Sequence, residues 1–192
     1  MIDLFDLDVD SLDSYIRIEK LSNENVPVSF PMKKSEYFVY SDYIMKNALA
    51  YQNLFITNTY LLIDNETNQA IAFISIICDS VIVTQDEKSE TDLMQVPFST
   101  FPAVKIAQLA VSSICEQKYN HVGSFLIDFA ADLAYKISIN FAACRFLTVD
   151  ADIDNNPDSP VFYEKNGFCR MTDRKYTKKT KMVCMYKDIF SK

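Results

Sequence analysis

Lys105-Ile-Ala-Gln-Leu-Ala-Val111, then the polar connection Ser112 to His121, then Val122-Gly-Ser-Phe-Leu-Ile127, is the stretch on which the fold turns. The first seven residues read as a short strand. From about Val122 to Ile137 the apolar residues Phe125, Leu126, Phe129, Leu133 and Ile137 recur at helical spacing, which predicts a strong amphipathic helix. A strand that feeds a loop that feeds a helix leaves the first helical amides pointing outward, where the helix dipole is positive. That is an anion-binding arrangement. Gly123 would let the backbone approach a phosphate closely, and Lys118 and His121 would add charge. The same pattern also reads as an ordinary strand-to-helix turn in which Gly123 only permits close packing.

Working outward toward the C-terminus, Cys144-Arg-Phe-Leu-Thr-Val149 predicts a buried strand. Asn156 fits an N-cap and Pro157 the first position of a short helix running through Phe162-Tyr163. That helix stops at Asn166-Gly167, where glycine can supply a left-handed residue. Lys181 to Tyr186 reads as a last strand. Toward the N-terminus, Asn58 to Ile63 and Ala70 to Ile77 flank the polar turn Asp64 to Asn68, a β-hairpin whose second strand should be covered on both faces. Thr84 to Asp92 is charged and predicts a mobile surface loop. Ser41 to Gln52 predicts a helix capped by Ser41, with Ile44, Met45, Ala48 and Leu49 on one face. Pro27 and Pro31 enforce an extended stretch. A helix is expected over 11–22, capped by Asp10 or Ser11. The element order predicts an α/β (α+β) fold, a mixed sheet with helices on its faces.

Composition bounds the chemistry. The 192 residues are 49% hydrophobic and 23% charged, the size and apolarity of one globular domain. No apolar run approaches the roughly 20 residues of a membrane helix, and the acidic N-terminus lacks the features of a signal peptide. A cytoplasmic protein with no membrane partner is expected. The net charge of -7 argues against a nucleic-acid binder. One histidine and two glycines exclude a zinc site built on several His and any loop needing three glycines. No metal is expected. The five cysteines form no CxxC pair and read as free, buried thiols in a reducing compartment. Nothing marks one of them as the partner of His121 in a catalytic pair.

Ile106 to Val111, Val122 to Ile127, Cys144 to Asp150 and Phe162-Tyr-Glu-Lys-Asn-Gly-Phe168, in this order and spacing, resemble the GNAT N-acetyltransferase superfamily over about residues 37–190. Residues 1–36 would be an N-terminal helix and extended lead-in of a single domain, 1–192. The resemblance implies a central mixed, mostly antiparallel sheet of about six or seven strands with helices on both faces. It implies that the strand ending Gln108 to Val111 splays from Arg145 to Asp150 and holds the pantetheine arm of acetyl-CoA in the gap. The cofactor contacts so implied are the main chain of Leu109, Ala110 and Val111, the loop residues Lys118, His121, Val122, Gly123 and Ser124 at the pyrophosphate, and Asn156. Tyr163 would be the general acid that protonates the departing thiolate. A phenol can donate at neutral pH, and backbone amides can stabilise the oxyanion of thioester aminolysis. By residue pattern alone, Tyr163 also reads as a core aromatic. The loop departs from the family's Gln/Arg-x-x-Gly-x-Gly/Ala: it reads Lys118-Tyr-Asn-His-Val-Gly123 and is about two residues longer.

Tyr40 to Gln52, Thr59 to Asp64, Ala70 to Ser75 and Pro102 to Val111 are similar to the GNAT branch that includes toxins acetylating aminoacyl-tRNA. Such toxins dock tRNA on a basic face. Here the concentrated cations are Arg170, Arg174, Lys175, Lys178, Lys179 and Lys181, which also read as a solvated hairpin. The expected function is therefore transfer of an acetyl group from acetyl-CoA to a primary amine of a small molecule or peptide. The alternatives are a tRNA-directed toxin and a non-catalytic CoA-binding or interaction module. Glu116, Asp79 and Asp150, or a chain of waters, are candidates for the general base, and a homodimer is open.

Overall fold

The computed structural model describes residues 1–34, 37–89, 91–115, 118–171 and 181–191. Seven strands form one sheet in the order β2 (Ile16–Lys20), β3 (Asn58–Asp64), β4 (Gln69–Ile82), β5 (Thr100–Val111), β7 (Phe146–Asp152), β9 (Met182–Asp188), β8 (Cys169–Arg170). The ladders β2/β3, β3/β4, β7/β9 and β8/β9 are antiparallel and β5/β7 is parallel. A separate pair joins β1 (Ile2–Asp3) to β6 (Tyr119–Asn120). This is the mixed, mostly antiparallel α/β fold expected. The chain divides into two compact units, Met1–Ile77 with Ala107–Asp128, and Cys78–Ile106 with Phe129–Lys192, with β4, β5 and the helix α5 (Val122–Asn140) passing through both.

In the first unit the hairpin forms as its sequence predicts. Residues 71–76 of β4 are buried without a break, because both faces are covered. The helix expected over 11–22 is shorter: α1 spans Val9–Tyr15, and its cap is Asp8, whose Oδ1 accepts from the Ser11 amide at 2.8 Å. Ile16 to Lys20 is strand instead. Ile16 and Ile18 satisfy a two-residue period as well as a helical one, and five rungs to β3 decide between them. The helix expected from Ser41 starts earlier, as α2 (Phe38–Asp42), passes through a π-helical turn (Tyr43–Asn47) and ends as α3 (Ala48–Asn53). Ser41 is inside it and buried, its hydroxyl donating to the Phe30 carbonyl at 2.7 Å. Ile44 and Ala48 are fully buried with Leu21, Phe30, Leu61, Ile63, Phe73 and Ala110, and Met45 and Leu49 pack against this core. Burial of each large aliphatic side chain contributes about 1.5–3 kcal/mol. Gln52 ties the helix to the sheet: its amide NH2 donates to the Leu21 carbonyl and its Oε1 accepts from the Thr59 amide.

In the second unit Phe101, Phe146 and Tyr186 pack edge to face at 5.8 Å between successive centroids, with Val81, Val83, Leu93 and Ala103 around them. The surface loop expected over 84–92 contains instead a short helix, α4 (Gln85–Ser89), with both Glu87 and Lys88 buried. Thr84-Gln-Asp-Glu87 is a capping box: Glu87 Oε2 accepts from the Thr84 amide at 2.8 Å, and the Glu87 amide donates to Thr84 Oγ1 at 3.2 Å. The ammonium of Lys88 has no exposed surface. It donates to the carbonyls of Val96 and Phe98 at 2.8 and 2.7 Å and lies 5.7 Å from the centroid of Phe101. One buried cation thus closes the segment between β4 and β5 on itself.

The last helix also starts later than its sequence predicts. α6 spans Ser159–Lys165, with Asp158 at the N-cap and proline within its first two positions. That proline is Pro160, whose fixed φ and missing N–H suit the first turn as well as Pro157 would. Asn156 instead gives its carbonyl to the Ser159 amide in the turn before the helix. The stop is as expected. Gly167 takes φ +81°, its amide donates to Glu164, and the Phe168 amide donates to Tyr163, which is the Schellman arrangement. None of the five cysteines is in a disulfide; Cys115 and Cys144 are buried as expected, but Cys184 is only half-buried and Cys78 and Cys169 are exposed. No helix among the described residues is long and apolar enough to cross a membrane.

Candidate active site

The ladder between β5 and β7 runs from Ala103↔Phe146 to Ile106↔Val149. Leu109, Ala110 and Val111 lie beyond its last rung. Ala110 is buried in the core of the first unit, and Leu109 and Val111 are half-buried. The strand end is anchored just past Val111. The Ser112 amide donates to the Ile71 carbonyl at 2.8 Å, and the Ser112 hydroxyl and Ser113 amide both donate to the Pro31 carbonyl at 2.9 Å.

The loop then leads into α5 through a left-handed residue. His121 has φ +58°, a conformation that costs an L-residue with a Cβ about 1–2 kcal/mol. The resemblance puts a glycine at this position. Gly123 has no positive φ, so its use is the missing side chain rather than unusual backbone. The first helical bond runs from the Phe125 amide to the His121 carbonyl at 2.9 Å. The amides of Val122, Gly123 and Ser124 therefore precede the hydrogen-bonded turns of α5, three N–H donors at the positive end of a 19-residue helix. Gly123 and Ser124 are half-buried and Val122 is buried.

The charged side chains of the loop are already engaged. Lys118 Nζ sits 2.7 Å from both Asp64 Oδ2 and Glu66 Oε2, which raise its pKa above the ordinary lysine value. Burial alone would push the Asp64 carboxyl up. The Lys118 ammonium, the amides of Thr67 and Glu66 and the Tyr119 hydroxyl outweigh it and hold the group below the usual carboxylate range. Tyr119, nearly fully buried, donates to Asp64 Oδ2 at 3.0 Å and lies 3.2 Å from the Tyr15 carbonyl. Burial pushes its phenol up to about 12; Lys118 opposes that rise and Asp64 adds to it. Lys118 thus braces the loop against the hairpin turn. The His121 ring, 59% exposed, keeps Nδ1 2.7 Å from Asp3 Oδ2.

In the second unit Tyr163 is 6% exposed, with ring centroids at 5.2 Å from Phe162 and 5.3 Å from Phe168, both near edge to face. Its position on α6 is fixed by the Gly167 stop, since the Tyr163 carbonyl accepts from the amides of Asn166 and Phe168. Asn156 is half-buried six residues before Phe162. Of the three candidate bases, Asp150 is paired with Lys105 at 2.6 Å, and Asp79 accepts from the Thr148 hydroxyl at 2.6 Å. Glu116 lies outside the described residues. Of the basic cluster, Arg170 pairs with Glu164 at 2.7 Å and Lys181 with Asp154 at 2.6 Å, while Arg174, Lys175, Lys178 and Lys179 lie outside the described residues. Among the described residues no group of three or more His, Cys, Asp or Glu could hold a metal ion.

No family profile and no curated protein matches the sequence. Solved structures do match its fold. A Tyr-to-Phe variant of KacT superposes with a TM-score of 0.71 at 13% identity, over 91% of this chain and 95% of that one. AtaT complexed with acetyl-methionyl-tRNAfMet gives 0.70 at 14% identity, over 90% and 94% of the two chains. A Tyr-to-Phe variant of the AtaT toxin, bound to the C-terminus of the antitoxin AtaR and to acetyl-CoA, gives 0.67 at 14%, over 91% and 93%. The chain has the fold of the toxin-type GNAT acetyltransferases, across nearly its whole length.

Proposed function

We propose that this protein is an acetyl-CoA-dependent N-acetyltransferase. The observation that carries the reading is the start of α5. Three amides and a side-chain-free position follow a left-handed turn, at the end of a strand that runs past its ladder, in a fold whose structural neighbours include acetyl-CoA-bound forms. The amides of Val122, Gly123 and Ser124 hold the pyrophosphate. Lys118, held by two carboxylates, supports the loop by position rather than by its own charge, and His121 lies beside the amides. The main chain of Leu109 and Val111, with Ala110 between them, lines the thioester arm, and Asn156 is a further cofactor contact. The acceptor amine attacks the thioester carbonyl, forming the C–N bond and breaking the C–S bond. Tyr163 gives its phenolic proton to the leaving thiolate; the surplus amine proton passes to solvent, and solvent returns one proton to the Tyr163 phenolate, so the cycle closes.

The acceptor is a primary amine. The net charge of -7 and the paired state of Arg170 and Lys181 favour a small or peptide amine over a polyanion. A second reading, the α-amine of an aminoacyl-tRNA, is favoured by the AtaT complex with acetyl-methionyl-tRNAfMet. Acetyl-CoA consumption with amines, peptides and aminoacyl-tRNA as acceptors decides between them. Turnover with amines or peptides, insensitive to salt, supports the first. Turnover with aminoacyl-tRNA that falls steeply between about 50 and 200 mM salt supports the second. No acetyl-CoA binding overturns both.

A further inference from the structure

The first fifteen residues lie outside the stretch that resembles the family, yet they are bonded to the loop on which the phosphate assignment rests. β1 pairs in parallel with β6, Ile2 opposite Tyr119 and Asp3 opposite Asn120. The Ile2 amide donates to the Lys118 carbonyl at 2.7 Å, Leu4 is buried, and the Tyr119 hydroxyl reaches the Tyr15 carbonyl. Asp3 Oδ2 sits 2.7 Å from His121 Nδ1, and the ring of Phe5 lies 6.1 Å from the imidazole. The residue so held is the left-handed one immediately before the three amides of α5.

We propose that Asp3 is a positioning residue of the coenzyme A site, acting through His121; this rests on the phosphate-loop reading above. With Nδ1 committed to Asp3, the ring is fixed and Nε2 is the nitrogen left to meet a phosphate oxygen. The Asp3 carboxylate thus sets the orientation of the ring, and Nε2, on its far side, is placed to bond a phosphate oxygen. The β1–β6 rungs hold the backbone of the same loop, so the N-terminal segment preorganises the turn that a glycine would otherwise make. Asp3 itself touches no substrate.

The test is calorimetric titration of wild-type protein, Asp3→Ala, His121→Gly and the double variant with acetyl-CoA and with acetyl-pantetheine, which lacks the pyrophosphate. Asp3→Ala is expected to weaken acetyl-CoA by about tenfold, the scale of one charge-assisted hydrogen bond. Acetyl-pantetheine should bind unchanged, which also shows that the fold is intact. The double variant should bind no more weakly than His121→Gly alone, because the two residues act in series. Equal loss for both ligands, additive losses, or acetyl-CoA binding that is unchanged or tighter would overturn the proposal. If Asp3→Ala does not fold, Asp3→Asn keeps the volume and a carbonyl acceptor, and a smaller loss confined to acetyl-CoA is then expected; any other pattern counts against it. Wild-type protein that binds both ligands equally would overturn the phosphate-loop reading itself, and this proposal with it.

Discussion

Tyr163→Phe should lower turnover by roughly 10²–10⁴-fold, the scale of a lost general acid, while acetyl-CoA affinity stays nearly constant. The substitution removes one oxygen and keeps the ring that packs against Phe162 and Phe168. The effect therefore separates chemistry from packing. Steady-state rates under conditions where chemistry limits turnover, together with a melting curve, check it. Unchanged turnover removes Tyr163 from the mechanism. Equal falls in affinity and in melting temperature would assign the ring, 6% exposed, to the core alone.

Gly123→Glu should abolish acetyl-CoA binding, with a loss of roughly 10²-fold or more. The added side chain would crowd the diphosphate and its carboxylate would repel it, and such like-charge contacts cost several kcal/mol. The fold should survive. Gly123 is in ordinary helical conformation, and an acidic residue in the first turn of a helix stabilises it by about 0.3–1 kcal/mol. A variant that melts like the wild type and binds acetyl-CoA with full affinity would take the pyrophosphate away from this turn.

What the sequence made legible was local. The hairpin around Asp64 to Asn68, the long helix from Val122 and the Gly167 stop follow from periodicity and turn chemistry within a few residues, and each is present. The misreadings have a common physical origin. Ile16 and Ile18 fit either period, and β3, more than forty residues away in sequence, settled the choice. The α4 capping box was visible as Thr84-Gln-Asp-Glu87 but was masked by the charge of its surroundings. The burial of Lys88 had no local signal, because the carbonyls that satisfy it belong to Val96 and Phe98. The same limit applies at the candidate site. The strand, loop and helix start were readable from their order. The diversion of Lys118 to Asp64 and Glu66, and of Asp3 to His121 across 118 positions, could not be read, since nothing in a one-dimensional pattern pairs those residues.

Acetyl-CoA is expected to lie with its diphosphate on the first amides of α5. A crystal structure of the protein soaked with acetyl-CoA tests it most directly. The diphosphate oxygens should lie within hydrogen-bond distance, about 2.7–3.2 Å, of the amides of Val122, Gly123 and Ser124, with the pantetheine arm along the main chain of Leu109 and Val111. A diphosphate bound elsewhere on the chain, with those three amides left to solvent, would contradict it.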